Sequence, residues 1–145
     1  MRSRRDKLRL VQEFASRREA VGARAVATAV AELTDARRVL QELTDYRATY
    51  AVPESVRREW DASRWSDYGD FLERLNAAIA AQQDVIDQHQ QRVNGLQSAW
   101  RELRSRRRSI DQLDQKLAAT EQQRLDQLAQ KEADERASLA NKQFD

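Results

Sequence analysis

Read from Leu72 in alternating steps of three and four, the chain returns Leu72, Leu75, Ile79, Gln82, Ile86, His89, Val93, Leu96, Trp100, Leu103, Arg107 and Ile110. Most of these stations are large and apolar, and the residues between them are mainly Gln, Asp, Glu, Arg, Asn, Ser and Ala. A step averaging about 3.5 residues is the seam of a coiled coil, and neither a strand nor a loop sustains it over so many turns. The remainder of the chain reads as a partner, a cap or an extension of this helix.

The composition fits that reading. Charged residues make up 34% of the chain, with three Gly and one Pro, and the mean hydropathy is -0.90. Long helices with narrow apolar seams have this character, because the seam occupies only two positions in seven. Disorder is the competing reading of a polar chain, but the net charge is only +2 and the two signs are interspersed. With no Cys there is neither a disulfide framework nor a thiolate metal site. The basic start, Arg2 to Lys7, is followed by no apolar stretch of a secretory signal. No run approaches the ~20 apolar residues of a membrane span, so a cytoplasmic protein is expected.

A first helical pattern runs from residue 6 to 50, with a seam at Leu8, Val11, Ala15, Arg18, Gly22, Val26, Ala29, Leu33, Ala36, Leu40, Leu43, Arg47 and Tyr50. Two consecutive steps of four between Arg18 and Val26 predict a stutter, which locally unwinds a supercoil. Pro53 and Glu54 suit the first turn of a short helix over 53–62. Ser66 or Asp67 is then expected to cap a long helix over 67–140. So short a connector makes the two long helices antiparallel neighbours. The fold class predicted is all-α, a long antiparallel two-helix coiled-coil hairpin forming a single domain over 1–145. Folding at the connector brings Leu33 near Ile86, Val26 near Val93 and Leu8 near Ile110. The first helix is then exhausted opposite Ile110, leaving Leu113, Leu117, Leu125, Leu128 and Leu139 on an overhang of roughly 40 Å.

No catalytic constellation is present. His89 lies on the seam, where it packs rather than reacts, and the carboxylates alternate with Arg and Lys at helical spacing as solubilising pairs. There is no phosphate-binding glycine loop and no metal or nucleophile motif, so no cofactor and no enzymatic activity are expected. Two basic clusters, Arg2, Arg4, Arg5, Lys7, Arg9 and Arg101, Arg104, Arg106, Arg107, Arg108, are predicted to share one end of the hairpin. No aromatic residues interleave with them for base stacking, which favours an acidic protein surface or anionic lipid over nucleic acid. All three Tyr, two of the three Trp and one Phe fall between Tyr46 and Phe71, at the closed turn. Phe71, Leu75, Ala78 and Gln82 make a second stripe displaced from the main seam. A hairpin cannot cover both stripes, so Phe71 is expected to be an exposed anchor for a partner.

The segments Leu43-Thr-Asp-Tyr-Arg-Ala-Thr-Tyr50 and Arg64-Trp-Ser-Asp-Tyr-Gly-Asp-Phe71, with Leu75, Ala78-Ile79, Val93, Trp100-Arg-Glu102 and the Arg124-Leu-Asp-Gln run, resemble the FliJ family of the flagellar type III export apparatus. The resemblance implies an antiparallel coiled coil like the central stalk of rotary ATPases. It implies association with the hexameric export ATPase and with the cytoplasmic domain of the large export-gate membrane protein, and contact with export chaperones. It also implies a position in the cytoplasm, peripheral to the membrane. The gate-binding surface would map to Leu43, Tyr46, Tyr50, Phe71, Leu75, Ala78 and Gln82. The ATPase-facing end would carry Leu8, Val11, Phe14, Leu113, Leu117, Leu125 and Leu128. The alternatives are the equivalent stalk of a virulence-type secretion system, or a generic coiled-coil or nucleic-acid-associated helix pair.

Overall fold

The computed structural model describes residues 3–144. The fold is an all-α helical hairpin of α1 (Arg4–Thr49), α2 (Glu54–Arg57) and α3 (Ala62–Phe144), with no strand among the described residues. The chain divides into two compact units, Val21–Arg101 and the described residues of Met1–Ala20 with Glu102–Asp145.

Each of the two long helices starts where local chemistry satisfies its orphan N–H groups. At α1, the Asp6 N–H donates to Ser3 Oγ (3.1 Å) and the Ser3 N–H donates back to Asp6 Oδ2 (3.2 Å), a reciprocal capping box. At α3, the Arg64 N–H donates to Asp61 Oδ1 at 2.8 Å. The cap is therefore Asp61, and α3 begins at Ala62 rather than near residue 67. The reason lies on either side of the cap: Trp60 packs on Trp65 with ring centroids 6.1 Å apart. These are the positions before the cap and four residues after it, the hydrophobic staple that fixes a helix entry. The expected helix over 53–62 is only one turn, closed by Arg57 and Arg58 N–H groups on the Pro53 and Glu54 carbonyls.

In the unit Val21–Arg101 the long helices run antiparallel around a small core of Ala29, Leu33, Ala36, Leu75, Ile79 and Val93. Val93 packs between Ala29 and Leu33, with Ile86 and Leu96 against the same cluster. The expected neighbours Leu33 and Ile86 both belong to this cluster, and Val93 joins Ala29, one turn along α1 from its expected neighbour Val26. Knobs of a coiled coil enter the space between residues of the facing helix, so a register drawn as one-to-one pairs misplaces them. Ala36 is small enough to expose its backbone, and Gln82 Nε2 donates to the Ala36 carbonyl at 2.9 Å. That bond satisfies the polar group on this stretch of seam. Arg47 to Asn76 Oδ1 and Arg37 to Gln90 Oε1, both 3.0 Å, close the edges, and His89 faces Glu32 at 3.9 Å.

Every α3 station from Leu72 to Ile110 is buried or half-buried. Along α1 the inward stations are Leu8, Gln12, Ala15, Glu19, Gly22, Val26, Ala29, Leu33, Ala36, Leu40 and Leu43. These alternate steps of four and three without interruption, so the expected stutter is absent. Gln12 and Glu19 hold the seam in place of Val11 and Arg18, both of which are exposed. The expected stations Arg47 and Tyr50, at the end of α1, are exposed as well.

In the other unit, polar pairs explain that exchange. Gln12 Nε2 donates to Asp111 Oδ1 at 3.2 Å. Arg107 pairs through Nε with Glu19 and lies 3.8 Å from Asp111, and Arg5 lies 3.9 Å from Asp114. No described side chain of this unit is buried. Ser3, Arg4 and Arg5 line one surface with Leu117, Thr120 and Glu121. α1 therefore extends past Ile110 to cover Leu117, and the uncovered part of α3 starts after Glu121. Its residues 122–143 are exposed throughout, about 35 Å of helix at 1.5 Å per residue.

Candidate functional site

The closed turn of Val21–Arg101 gathers its aromatic residues into two groups. Tyr46 lies in the last turn of α1 and Tyr50 just past its end, with the Tyr50 N–H on the Tyr46 carbonyl, which sets their rings side by side with centroids at 4.5 Å. Phe71 of α3 meets both, at 6.0 Å and 5.8 Å. Tilted and edge-on rings at these distances are the favourable arrangements of aromatic quadrupoles. The hydrogen bond to the Tyr50 hydroxyl, then the charge of its phenolate, raise the Tyr46 phenol above its ordinary value. Tyr46 and Tyr50 stay about half exposed, at 45% and 50%.

The second group is Trp60, Trp65 and Tyr68. Trp60 and Tyr68 stack edge-on at 5.2 Å, with Arg57 over Trp65 at 5.6 Å and Arg64 over Trp60 at 6.0 Å. Tyr68 Oη accepts from the Val52 N–H at 3.1 Å, tying the connector to α3. This group ties the connector to α3, with Trp65 itself exposed like the two tyrosines.

The residues expected to form one surface here divide accordingly. Tyr46, Tyr50 and Phe71 come together, Leu43 is half-buried at the last inward station of α1 and Ala78 is exposed. Leu75 is only 7% exposed and belongs to the core, and the Gln82 amide is held on Ala36. The stripe expected to be uncovered is thus covered at Leu75, because that position is shared with the main seam. Phe71 is half-covered by the two tyrosines.

In the other unit, removal of Val11 from the seam has a counterpart on the surface. Val11 is 48% exposed, Phe14 61% and Leu113 49%, while Leu8 and Leu117 are half-buried. Val11, Phe14 and Ala15 of α1 face Leu103 and Ile110 of α3 across a shallow apolar groove, with Arg18 and Arg106 at its edge. Leu125 and Leu128 lie on the uncovered helix, each 47% exposed. Glu121, where that helix begins, has its carboxyl lowered by the hydrogen bond from Arg124, then by the Arg124 charge, with a smaller pull from Arg5.

Of the two basic clusters, Arg2 lies outside the described residues, and Arg5 and Arg107 are engaged in ion pairs with Asp114 and Glu19. Sequence reasoning missed the Gln12–Asp111 and Glu19–Arg107 pairs. The available signal was Arg107 itself, a cation on an apolar seam that requires an acidic residue at the facing station.

Among the described residues, no helix is long and apolar enough to cross a membrane. No curated protein and no solved structure matches the chain. A family model described as FliJ, flagellar FliJ protein, matches residues 4–143.

Proposed function

From membership of this chain in the FliJ family, and hence from its place in the flagellar export apparatus, we propose that it is a non-enzymatic stalk whose closed turn binds the cytoplasmic domain of the large export-gate protein. The observation that carries this reading is the cluster of Tyr46, Tyr50 and Phe71, in which two tyrosines remain about half exposed. Rigid aromatic anchors with a polar tip are the residues that dominate binding energy at protein interfaces. Leu43 and Ala78 flank them, while Leu75 and Gln82 support the helix pair beneath. The unit that carries Leu8, Val11, Phe14, Leu113 and Leu117, with Leu125 and Leu128 on the uncovered helix, faces the hexameric export ATPase. Engagement at both places couples the ATPase ring to the gate, from the cytoplasmic side and peripheral to the membrane. Export chaperones are further partners of the same surfaces.

The burial of Leu75 decides how the site is tested. Leu75→Ala would remove core packing, at about 2–5 kcal/mol, and confound binding with folding. Tyr46→Ala combined with Tyr50→Ala removes exposed rings instead. In titrations against the purified gate domain, the double variant should lose at least about tenfold in affinity, as truncating two anchors costs 1 kcal/mol or more each. Its helicity and melting should stay close to those of the parent chain. Unchanged affinity would place the gate contact elsewhere.

A further inference from the structure

The groove beside Val11 and Phe14 has a chemistry of its own. On α1 the exposed residues Lys7, Val11, Phe14 and Arg18 follow one another at four, three and four residues, so they share one face. On α3 the facing residues are Leu103, Arg106 and Ile110, with exposed Leu113 next at the same helical spacing. Neither stripe contains a carboxylate. The carboxylates that face the helix pair are spent elsewhere in this unit: Glu19 on Arg107, Asp114 on Arg5 and Asp111 on Gln12. Lys7 and Arg106 have no ion pair among the described residues, and the Arg18 guanidinium lies 5.8 Å from the Phe14 ring centroid. The result is an apolar floor with Arg18 and Arg106 at its edge and Lys7 one turn further along the same face of α1.

We infer that this groove docks an amphipathic helix with an acidic border, supplied by a partner protein. Apolar side chains at three- and four-residue spacing would enter between Phe14 and Ile110, and Glu or Asp on either side would meet Lys7, Arg18 and Arg106. An apolar strip running along a helix pair suits a single helix laid into a groove, and the uniform sign of the border selects its charge. The inference deepens the assignment of this unit as the ATPase-facing end and rests on that reading for its biological setting. The chemistry of the groove stands apart from it.

The probe is a pair of fluorescent 18-residue peptides with one leucine stripe, flanked by Glu in one and by Lys in the other, titrated against the full chain. The Glu peptide should bind about tenfold more tightly than the Lys peptide at low salt, with the preference shrinking as salt screens the border. Lys7→Glu, Arg18→Glu and Arg106→Glu together, all at exposed positions, should abolish or reverse the preference with circular dichroism unchanged. Phe14→Ala should weaken both peptides alike. Equal binding of the two peptides, a preference that survives the charge reversal, or tighter binding of a single-stranded DNA 12-mer than of the Glu peptide would each overturn the inference. A parallel titration with the purified export ATPase separates the two readings. If the charge-reversed chain loses the Glu peptide but still binds the ATPase as the parent does, the groove stands and its assignment to the ATPase falls. If Phe14→Ala weakens ATPase binding while neither peptide is preferred, the assignment stands and the acidic helix falls.

Discussion

At the scale of residues, single side chains fix where helices begin, and Asp61 is the clearest instance. It competes with Ser66 and Asp67, which cap equally well by propensity. Trp60 and Trp65 settle the competition, since only a cap at Asp61 places them at the two ends of a staple. Asp61→Ala should therefore lower stability by about 1 kcal/mol, read as a shift in the urea midpoint with an unchanged slope. Ser66→Ala should leave the midpoint in place. The aromatic spacing that decides between them is written in the sequence. It was illegible there because it counts only after the cap position has been chosen.

At the scale of elements, α3 and α1 differ in how plainly they show their inward faces. The stations of α3 are mostly large and apolar, and all those from Leu72 to Ile110 face inward. Those of α1 include Gln12 and Glu19, which a reading by hydrophobicity passes over for Val11 and Arg18. Their placement depends on Asp111 and Arg107, nearly a hundred residues away in the chain, so no local pattern reveals it. The same gap hid the groove, because Val11 and Phe14 were assigned to a docking end without the cations around them. The pair also carries a stability expectation. Glu19 is 14% exposed and Arg107 35%, so removing one partner strands the other. Glu19→Ala should cost about 1–2 kcal/mol, less than a fully buried pair because of the remaining solvent access. Glu19→Leu with Arg107→Leu should restore or exceed the parent stability, and thermal melts of the two variants side by side check it.

At the scale of the whole molecule, burial is distributed unevenly. Among the described residues, all of the buried side chains lie in Val21–Arg101, while the other unit is held by half-buried leucines and polar pairs. Local stability follows apolar contact density. Amide exchange should accordingly be slowest around Ala29, Leu33, Ile79 and Val93, faster over residues 4–20 and 102–118, and fastest over 122–143. Comparable protection in all three regions would contradict this ranking. The hairpin as such was legible from heptads and the position of Pro53. The partition of its core was not, because it depends on which stations are large on both helices at once, and Ala15 and Gly22 look like ordinary seam positions in one dimension.

The uncovered segment of α3 is stitched by its own side chains, Arg124 donating to Glu121, Gln122 to Asp126 and Gln130 to Asp134. Its turns hold one another by neighbour contacts within the helix rather than by the hairpin. Its span is therefore a free parameter. Seven residues inserted after Gln130 would carry Leu139 about 10 Å farther out and return it to nearly the same azimuth, without disturbing a single contact between α1 and α3. The helix can serve as a ruler whose length evolution, or an engineer, can reset alone.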